Sequence, residues 1–514
     1  MKILFVMRHS GYVRNFESTL RMLCERGHNV ELAFQIGGTH WLLDPTDVAT
    51  QLAETYPRFS RSVIPVRDDA WGYAARELRV ALDYLRYLAP AYRNAPKLRA
   101  RAEREVPEYL LETSRRGIFN TTTGRALLAR TLRLLSRAVP TDARIDVFLE
   151  ARRPDVVAVT PLIEPGAPQA EYVRSARALG IPTALCVASW DNLTNKGLIH
   201  GPVDLVTVWN DMMKEEAIAL HGVAPEKIVI TGAQPFDHWF EWQATVARHD
   251  FCRQIGLPHD RPYILYVCSS RFIAPEEVPF VRSWLQHLRQ AGIDAGVLVR
   301  PHPQNADQWR HADLTEFGPV VVWPAAGATP SNAQSRADYF HSIVHSSAVI
   351  GINTTAEIES AIIGRSVFTV LAPEFQATQE GTLHFEHLRN ANGGLVHAAA
   401  TFSEHIDQLT RTLRNPHVDD ARCRRFVEAF VRPHGIEVPA TPALVEALEN
   451  LGRQQLAPSK SSSWLAAPAR RLLAHRGDRL RRNALMAAER KALQKRRKDI
   501  AARTERPQKR ASSR

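Results

Sequence analysis

The sequence predicts an α/β protein of two Rossmann-like domains that face a cleft, with a helical insertion in the first domain and a basic C-terminal tail. Three observations lead to this prediction. Apolar strand patterns alternate with helical patterns in both halves, which is typical of parallel, doubly wound sheets. A length of 514 residues suffices for two or three domains with sizeable cores. Residues 71–140 are rich in Arg, Ala and Leu and lack strand patterns.

The first domain is predicted over residues 1–240. It opens with a strand, a loop, a helix and a second strand, which is a Rossmann-like unit. The loop holds one glycine and no GxGxxG motif, which argues against an NAD or FAD site there. The predicted strands are 2–7, 29–34, 156–160, 183–187, 205–209 and 228–231, and the predicted helices include 15–26 and 169–179.

The second domain is predicted over residues 241–415. Two helices in residues 416–455, at 422–431 and 442–451, are expected to cap this domain and return toward the first. The predicted strands of the second domain are 263–268, 296–300, 320–323, 348–352, 366–371 and 394–397, and its predicted helices are 275–291, 337–345, one that carries Glu359, and 403–413. A site is expected outside the carboxyl ends of both sheets.

Positive charge is concentrated in two segments. The insertion holds 14 basic and 6 acidic residues between Arg76 and Arg137. Its simplest interpretation is a pair of solvated amphipathic helices that cover the sheet, and the alternative is a surface for anionic lipid or an anionic acceptor. The tail, residues 456–514, holds 18 basic and 4 acidic residues from Pro458 onward, so that the rest of the chain is close to neutral.

Apolar residues recur in the tail at intervals of mostly seven to eight residues. A stripe of this kind on a basic helix binds anionic membrane surfaces, and a disordered, solvated tail is the alternative. Nucleic acid is a less favoured partner, because RNA-binding segments usually add stacking aromatics and the tail holds a single one. The stripe comprises Trp464, Leu465, Leu472, Leu473, Leu480, Leu485, Leu493 and Ile500.

Neither the cysteines nor the hydropathy indicate an exported or membrane-spanning chain. The five cysteines are scattered and form no CxxC pair, which argues against a metal knuckle or a disulfide framework. The apolar run at the N-terminus is interrupted by Arg8 and His9, so we interpret it as a strand rather than a signal peptide. We expect a reducing, cytoplasmic location, with peripheral attachment to the inner face of the cell membrane as a further hypothesis.

A nucleotide cradle is predicted in the stretch from Ala348 to Val370. A strand runs into a polar turn and a helix start, where backbone N–H groups, the helix dipole and the hydroxyls of Thr354 and Thr355 can bind phosphate. Glu359 lies one helical turn further along, where a carboxylate can accept hydrogen bonds from ribose hydroxyls. An ordinary strand–helix–strand unit with a Thr N-cap is the alternative.

Two further loops follow strands of the second domain and should converge on the same edge of its sheet. One loop carries hydroxyls that can hold a diphosphate together with backbone N–H groups. The other carries basic groups that can neutralise charge on a departing phosphate. The candidate residues of the two loops are Ser269, Ser270 and Arg271, and Arg300 and His302.

The first domain offers three candidates for the base that would deprotonate an acceptor hydroxyl. His9 ends the first strand, and a neutral imidazole titrates near neutral pH. Asp191 follows another strand and is an equal candidate, either as the base or as a group that orients it. Glu164 is a weaker choice. Asn192, Asn195 and Lys196, in the same loop as Asp191, could bind acceptor hydroxyls or a phosphate, and the alternative is a plain Asx-turn.

These motifs resemble those of GT-B-fold glycosyltransferases. Thr354, Thr355, Glu359 and Gly364 match the donor-site signature in order, with Ser366 in place of the usual Pro. The pair His302-Pro303 resembles the HP motif of bacterial capsule-polymer transferases, which include sialyltransferases, Kdo transferases and teichoic-acid-type glycerophosphotransferases. Residues 206–232, with VxxWN, GVxPxKI and TG, are similar to the segment before the interdomain linker in capsule-polysaccharide and CDP-glycerol glycerophosphotransferase-like enzymes. The resemblance spans roughly residues 155–413.

The resemblance implies a GT-B architecture and a metal-independent transferase of the cell envelope. In such an enzyme the first domain would bind the acceptor and the second domain would bind the nucleotide donor. Such an enzyme would move a sugar or a polyol phosphate from a nucleotide-sugar or CDP-polyol donor to a surface-polysaccharide or lipid-linked acceptor. It would need no cofactor and no metal, since helix dipoles and basic groups take the metal's role. The alternatives are a non-hydrolysing UDP-N-acetylglucosamine 2-epimerase-like enzyme, which shares the fold and the cradle, and a non-catalytic GT-B-fold binding protein.

Overall fold

Two parallel sheets organise the protein, as the sequence predicts. The computed structural model describes residues 1–35, 48–330, 332–415, 417–459 and 467–511, with side chains described up to residue 494. The first sheet has the strand order β3-β2-β1-β4-β5-β6-β7 and the second has the order β10-β9-β8-β11-β12-β13. Every pairing is parallel. Both orders reverse at a central strand, which places a crevice at the carboxyl ends of the strands.

The strands of the first sheet are short and mostly buried on both faces, because helices cover both sides of a parallel sheet. They are β1 (Lys2–Met7), β2 (Asn29–Gln35), β3 (Phe59–Ile64), β4 (Val156–Thr160), β5 (Thr183–Cys186), β6 (Leu205–Val208) and β7 (Ile228–Ile230). Those of the second sheet are β8 (Tyr263–Val267), β9 (Gly296–Arg300), β10 (Val320–Val322), β11 (Ala348–Ile350), β12 (Val367–Val370) and β13 (His397–Ala399).

The helices of the first domain include four that form the insertion, α3 to α6. The helices before and after it are α1 (Glu17–Glu25), α2 (Val48–Thr55), α7 (Ala143–Arg152), α8 (Ala170–Ala178), α9 (Asn192–Asn195) and α10 (Asp211–His221). The insertion comprises α3 (Ala70–Tyr87), α4 (Pro96–Glu105), α5 (Glu108–Arg115) and α6 (Thr122–Ala138). The second domain holds α11 (Arg248–Ile255), α12 (Val278–Gln290), α13 (Ala333–Val344), α14 (Thr355–Ile362), α15 (Phe385–Asn390) and α16 (Phe402–Arg414).

Several elements differ from the sequence prediction, among them two in the first domain and the last strand of the second. Strand β3 and helix α2 are absent from the prediction. The last strand begins at His397 rather than at residue 394. Gly393 and Gly394 both have positive φ values, of 90° and 77°, so they form a turn before the strand and cannot belong to its extended backbone.

Helix α3 of the insertion buries charged side chains, contrary to the simpler interpretation of solvated helices. Arg79 is 3% exposed and Arg86 is 8% exposed. The Arg79 guanidinium pairs with the carboxylate of Glu171 at 2.5 Å, and Arg67 pairs with the other oxygen of that carboxylate at 2.7 Å. Burial opposes ionisation of Glu171, but the arginines around it lower its pKa to about 2. The insertion is therefore joined to the first domain by a buried ion network.

Two helices return from the second domain to the first, as predicted. They are α17 (Asp420–Phe430) and α18 (Ala440–Gly452). Leu444 and Leu448 of α18 belong to the apolar core between α1 and the first sheet. Asp237, in the segment that leads into the second domain, accepts hydrogen bonds from the backbone N–H groups of Ala440 and Thr441 and pairs with Arg432. Arg432 therefore has a structural partner and holds the two connections between the domains together.

Residues 467–511 of the tail form one helix, α19 (Ala467–Ala511). Its first part packs on α3, where Leu473 is buried and Arg476 pairs with Glu77 at 2.6 Å. Gly477 lies so close to the carbonyl oxygen of Ala70 that a Cβ atom would collide with it. Two residues of the predicted apolar stripe, Trp464 and Leu465, lie outside the described residues. Within the part of the chain that the structure describes, no helix is both long and apolar enough to span a bilayer.

Candidate functional site

A cavity of about 320 Å³ lies between the two domains, at the carboxyl ends of both sheets. Its walls come from the loop after β5, from the loops after β8, β9 and β11, from helix α4 of the insertion, and from the residue before α15. The first domain contributes Arg101, Ser189, Trp190, Asp191, Asn195 and Lys196, and the second contributes Ser270, Phe272, Ile273, His302, Gln304, Asn353, Thr354, Thr355 and His384. The cavity therefore contains candidates from both predicted halves of the site.

The start of helix α14 forms one wall of the cavity, as predicted for a phosphate cradle. Asn353, Thr354 and Thr355 line the cavity there. The backbone N–H of Thr354 donates to the carboxylate of the buried Glu357 at 2.7 Å. Burial raises the pKa of Glu357 to about 8. A helix start that faces a cavity favours an anion, because its N–H groups and its dipole point the same way.

The two domains are in direct contact at this helix start. The indole Nε1 of Trp190 donates to the hydroxyl of Thr355 at 3.1 Å. The hydroxyl proton of Thr355 remains a donor, because accepting from the indole uses only an oxygen lone pair. The ring of Trp190 also packs edge-to-face on His384, with centroids 4.7 Å apart. The first domain therefore touches the predicted cradle of the second.

His302 is held as a neutral donor at the cavity wall. Burial lowers its pKa to about 4, so the ring is uncharged at neutral pH. Its Nδ1 atom accepts a hydrogen bond from the backbone N–H of Gln304 at 3.1 Å. The remaining proton of a neutral ring must then be on Nε2. His302 can therefore donate one hydrogen bond to an anion from Nε2 without carrying a charge.

Asp191 is the carboxylate of the opposite wall. Burial opposes its ionisation, but the positive charge of Lys196 and a hydrogen bond from Ser189 lower its pKa. Burial in turn lowers the pKa of His384 to about 4, and Nδ1 of His384 accepts from the side-chain amide of Asn195 at 2.9 Å. Asp191 is therefore an ionised carboxylate at neutral pH, beside a lysine and a neutral histidine.

The other two candidate bases of the first domain lie outside the cavity lining. Nδ1 of His9 accepts from the backbone N–H of Gly11 at 3.2 Å, and burial lowers the pKa of His9. Its neutral ring therefore carries the proton on Nε2, which makes that atom a donor rather than a base. Glu164 pairs with Arg8 at 2.5 Å and accepts from the hydroxyl of Tyr12 at 3.2 Å. The geometry favours Asp191 as the base.

Two candidates of the loop after β8 do not line the cavity. Ser269 is fully buried, and its backbone N–H donates to both carboxylate oxygens of Glu277 at 3.1 Å. Arg271 is exposed. Ser270, between them, is the residue of this loop that reaches the cavity. Successive residues of an extended chain point to opposite sides, so three adjacent candidates could not all face one cavity.

Arg300 and Glu359 lie near each other and outside the cavity lining. The Arg300 guanidinium lies over the ring of Tyr339, 4.9 Å from its centroid, and donates to Ser342 at 3.0 Å. The hydroxyl of Tyr339 donates to the carboxylate of Glu359. Burial raises the pKa of Glu359 to about 7. Glu359 is therefore one helical turn from Thr355, as predicted, with a tyrosine as its partner in this structure.

Sequence reasoning missed several residues of the cavity. Trp190 adjoins the predicted Asp191, so its position in the loop was the available signal. His384 follows no strand of the sheet and Arg101 belongs to the insertion, so no local pattern indicated either of them. The guanidinium of Arg101 lies over the ring of Phe272, 5.1 Å from its centroid. Among the described residues, no group of three or more His, Cys, Asp or Glu side chains is arranged to hold a metal ion.

Comparison with solved structures found chains that align with most of this one at low sequence identity. No protein-family model and no curated protein matches the chain. A putative UDP-N-acetylglucosamine 2-epimerase from Listeria monocytogenes is 12% identical, with a TM-score of 0.50, over 90% of this chain and 99% of that one. A UDP-GlcNAc 2-epimerase from Neisseria meningitidis, bound to UDP-GlcNAc, is 11% identical, with a TM-score of 0.49, over 88% of this chain and 100% of that one. A glycosyltransferase from Rickettsia africae is 10% identical, with a TM-score of 0.49, over 88% of this chain and 99% of that one.

Proposed function

We propose that this GT-B-fold protein is a transferase that acts on a nucleotide-activated donor. It would move a sugar or a polyol phosphate to a hydroxyl of a surface-polysaccharide or lipid-linked acceptor. The observation that carries the proposal is the cavity between the domains, where the start of α14 and the neutral His302 face the ionised Asp191. One wall is suited to bind a phosphate and the other is suited to accept a proton, and group transfer to a hydroxyl needs both.

On the donor side, the second domain would bind the phosphates of the nucleotide. The start of α14, Ser270 and His302 all line the cavity and can each supply a hydrogen-bond donor to it. As the bond from the transferred group to the phosphate oxygen breaks, negative charge grows on that oxygen. Donors already fixed in place stabilise this charge, and removing one such donor typically costs about 10²–10³-fold in kcat. Glu359 would contact the ribose after the hydroxyl of Tyr339 moves aside.

On the acceptor side, Asp191 would accept the proton of the attacking hydroxyl. The acceptor oxygen forms a bond to the transferred group while the bond to the donor phosphate breaks, and the proton passes to the carboxylate of Asp191. The low pKa of Asp191 keeps this carboxylate ionised at neutral pH. Lys196 would remain beside it as a positive charge for an anionic group of either substrate. Bond making, bond breaking and proton transfer then balance without another reactant.

Epimerisation of the nucleotide sugar is the second candidate. The solved structures similar in fold include UDP-GlcNAc 2-epimerases. An epimerase would bind the same class of nucleotide and would return it as an isomer, with no acceptor. A transferase would release the free nucleotide only when an acceptor is present. The two reactions are therefore separated by their products.

A nucleotide screen tests the donor side. We expect one of UDP, CDP, GDP and CMP to stabilise the protein by about 2.7 kcal/mol at 100 times its dissociation constant. His302→Ala should weaken this stabilisation and should reduce turnover of the matching donor by about 10²–10³-fold, because its Nε2 donor is lost. Glu359→Gln should weaken nucleotide binding if the ribose contact forms. Thermal shift and nucleotide release measure these effects.

The control for this screen is His311→Ala, since His311 is exposed and outside the cavity. It should match the wild-type chain in both measurements. If none of the four nucleotides stabilises the protein, the donor side of the proposal is wrong. If an isomerised nucleotide sugar accumulates without any acceptor, the epimerase interpretation replaces the transferase.

We further propose that the insertion and the tail attach the protein to an anionic membrane surface, where a lipid-linked acceptor would be available. Helices α6 and α19 both pack on α3. Leu127 and Leu134 of α6 are 54% and 53% exposed, and Leu472 and Leu485 of α19 are 63% and 52% exposed. Arginines alternate with apolar residues along both helices. Each basic residue near an anionic surface contributes about 1 kcal/mol.

Vesicle binding tests this attachment. We expect binding to phosphatidylglycerol vesicles that weakens with salt, and no binding to phosphatidylcholine vesicles. Leu127→Ser together with Leu134→Ser should weaken the binding, whereas Val418→Ser should not, because this exposed residue lies between α16 and α17. Substitutions are used rather than removal of the tail, because Leu473 packs against α3. A full-length chain that ignores anionic vesicles at low salt would exclude the attachment.

A further inference from the structure

Five successive backbone carbonyls of the loop after β5 are bound by side chains of the insertion. These are the carbonyls of residues 193–197, at the end of helix α9. Arg86 donates to the carbonyls of Lys196 and Gly197 at 3.1 and 2.9 Å. It also donates to the carbonyls of Leu193 and Thr194 and to the hydroxyl of Tyr92. A guanidinium has five N–H donors in a fixed plane, so one side chain can hold several carbonyls.

Three other side chains of the insertion complete this set. The hydroxyl of Tyr92 donates to the carbonyl of Thr194 at 3.0 Å, and the hydroxyl of Tyr87 donates to that of Lys196 at 2.6 Å. Arg101 donates to the carbonyl of Asn195. Helix α9 is a single turn, so most of its carbonyls have no partner within the helix. The insertion supplies these partners instead.

One turn earlier on α3, a buried carboxylate holds the next part of the same loop. Asp83 is 3% exposed. It accepts from the backbone N–H of Leu198 at 2.7 Å and from that of Gly166 at 2.9 Å, and it pairs with His200 at 2.7 Å. Buried charged groups with this many partners are costly to rearrange. The loop is therefore fixed to α3 at two successive turns.

We propose that Arg86, with Tyr87 and Tyr92, is a positioning residue for the reaction in the cavity. The proposal rests on the proposed function, because the loop held by these residues is the loop that carries Asp191, Asn195 and Lys196. These carbonyl contacts set the distance from the Asp191 carboxylate to Lys196 and to the opposite wall. The helical insertion is then a structural part of the acceptor half of the site rather than a cover for the sheet.

The test compares variants that loosen the loop with one that does not. Arg86→Gln should reduce kcat by about 100-fold, the cost of a displacement of about 1 Å in a catalytic group. Arg86→Lys should recover part of the loss, because an ammonium can still reach some of the carbonyls. The double variant Tyr87→Phe with Tyr92→Phe removes two hydroxyls at nearly constant volume and should show a smaller reduction. Nucleotide-dependent stabilisation should stay within twofold of wild type, since the donor wall is unchanged.

Tyr84→Phe is the matched control, because Tyr84 is buried on the same helix and its hydroxyl bonds Ser114 rather than the loop. Amide hydrogen exchange of residues 189–200 should be faster in the Arg86 and double tyrosine variants and unchanged in Tyr84→Phe. If exchange and kcat in the double tyrosine variant equal those of Tyr84→Phe, the positioning role is wrong, even where Arg86→Gln fails to fold. A wild-type chain that transfers nothing would instead overturn the proposed function, and the exchange result separates the two failures.

Discussion

Replacing Asp191 by Asn should reduce transfer by about 10²–10⁴-fold, the usual contribution of a positioned general base. Asn keeps the size and the polarity of Asp but cannot accept the proton at neutral pH. Nucleotide binding should be preserved, because the start of α14 and His302 belong to the other wall of the cavity. The measurement is kcat for transfer, with the dissociation constant of the nucleotide determined on the same preparation.

The matched control for this substitution is Asp211→Asn, an exposed aspartate in the first turn of α10. It removes the same charge from the same domain without touching the cavity, so it should transfer at the wild-type rate. If Asp191→Asn transfers at the wild-type rate, the base must be another residue. His9→Ala and Glu164→Gln would then be the next substitutions to measure.

Glu171→Gln should lower the free energy of unfolding more than any other single substitution in the contacts that join the first domain to the insertion. The carboxylate of Glu171 is buried with the guanidinium groups of Arg67 and Arg79, and all three side chains are about 3% exposed. Removing its charge leaves the buried Arg79 guanidinium without a counterion, while Arg67 keeps Asp69 as a partner at 2.8 Å. Breaking a buried ion pair in this manner costs about 3–5 kcal/mol. Urea unfolding at pH 7 measures the loss, and Glu112→Gln, on the exposed face of α5, should change stability by less than about 0.5 kcal/mol.

The pH dependence of the same group has a defined direction. The pKa of Glu171 falls from 4.5 to about 2 on folding, so the unfolded chain binds its proton more readily than the folded chain. The stabilisation from this group is present in full above pH 4.5 and is lost as the pH falls toward 2. Wild-type protein should therefore lose more stability over that interval than Glu171→Gln does. Equal losses in the two proteins would contradict the assigned ion network.

Sequence patterns located the central strands well because these strands are buried on both faces. Lys2–Met7, Val156–Thr160 and Gly296–Arg300 were predicted with the observed bounds, and each is an apolar run that ends at polar residues or proline. Strand β3, at the edge of the first sheet, has the sequence FSRSVI with exposed residues in its middle. Its pairing with β2 comes from tertiary context, which a local apolar pattern does not report.

The candidate site was predictable where it depends on strand ends. Ser270, His302, Thr354 and Asp191 all follow strands, and the carboxyl ends of parallel strands meet at one edge of a sheet. Side-chain direction was not predictable in the same way. Arg300 is the last residue of β9, and its side chain turns toward α13 rather than toward the cavity.

Residues brought in by other elements were also beyond local patterns. His384 and Arg101 reach the cavity from outside the strand–loop–helix units that the prediction used. Arg86 and Asp83 lie in a segment whose arginine-rich composition is typical of a solvated helix. Only the packing of α3 against the loop after β5 shows that their side chains are buried. Buried charges in a charged sequence cannot be separated from exposed ones before their partners are known.

The contacts of Asp237 with Arg432, Ala440 and Thr441 have a mechanical consequence. They join the segment that leads into the second domain to the segment that returns from it. The two connections between the domains would therefore act as a single hinge. When a domain rotates about a hinge, atoms beside the hinge move least and atoms farthest from it move most. Opening and closing of the cleft would therefore act mainly on contacts away from Asp237, such as the hydrogen bond from Trp190 to Thr355. Exchange of substrate and product would then depend on a few hydrogen bonds far from the hinge. The hinge itself would keep the two walls of the cavity aligned from one turnover to the next.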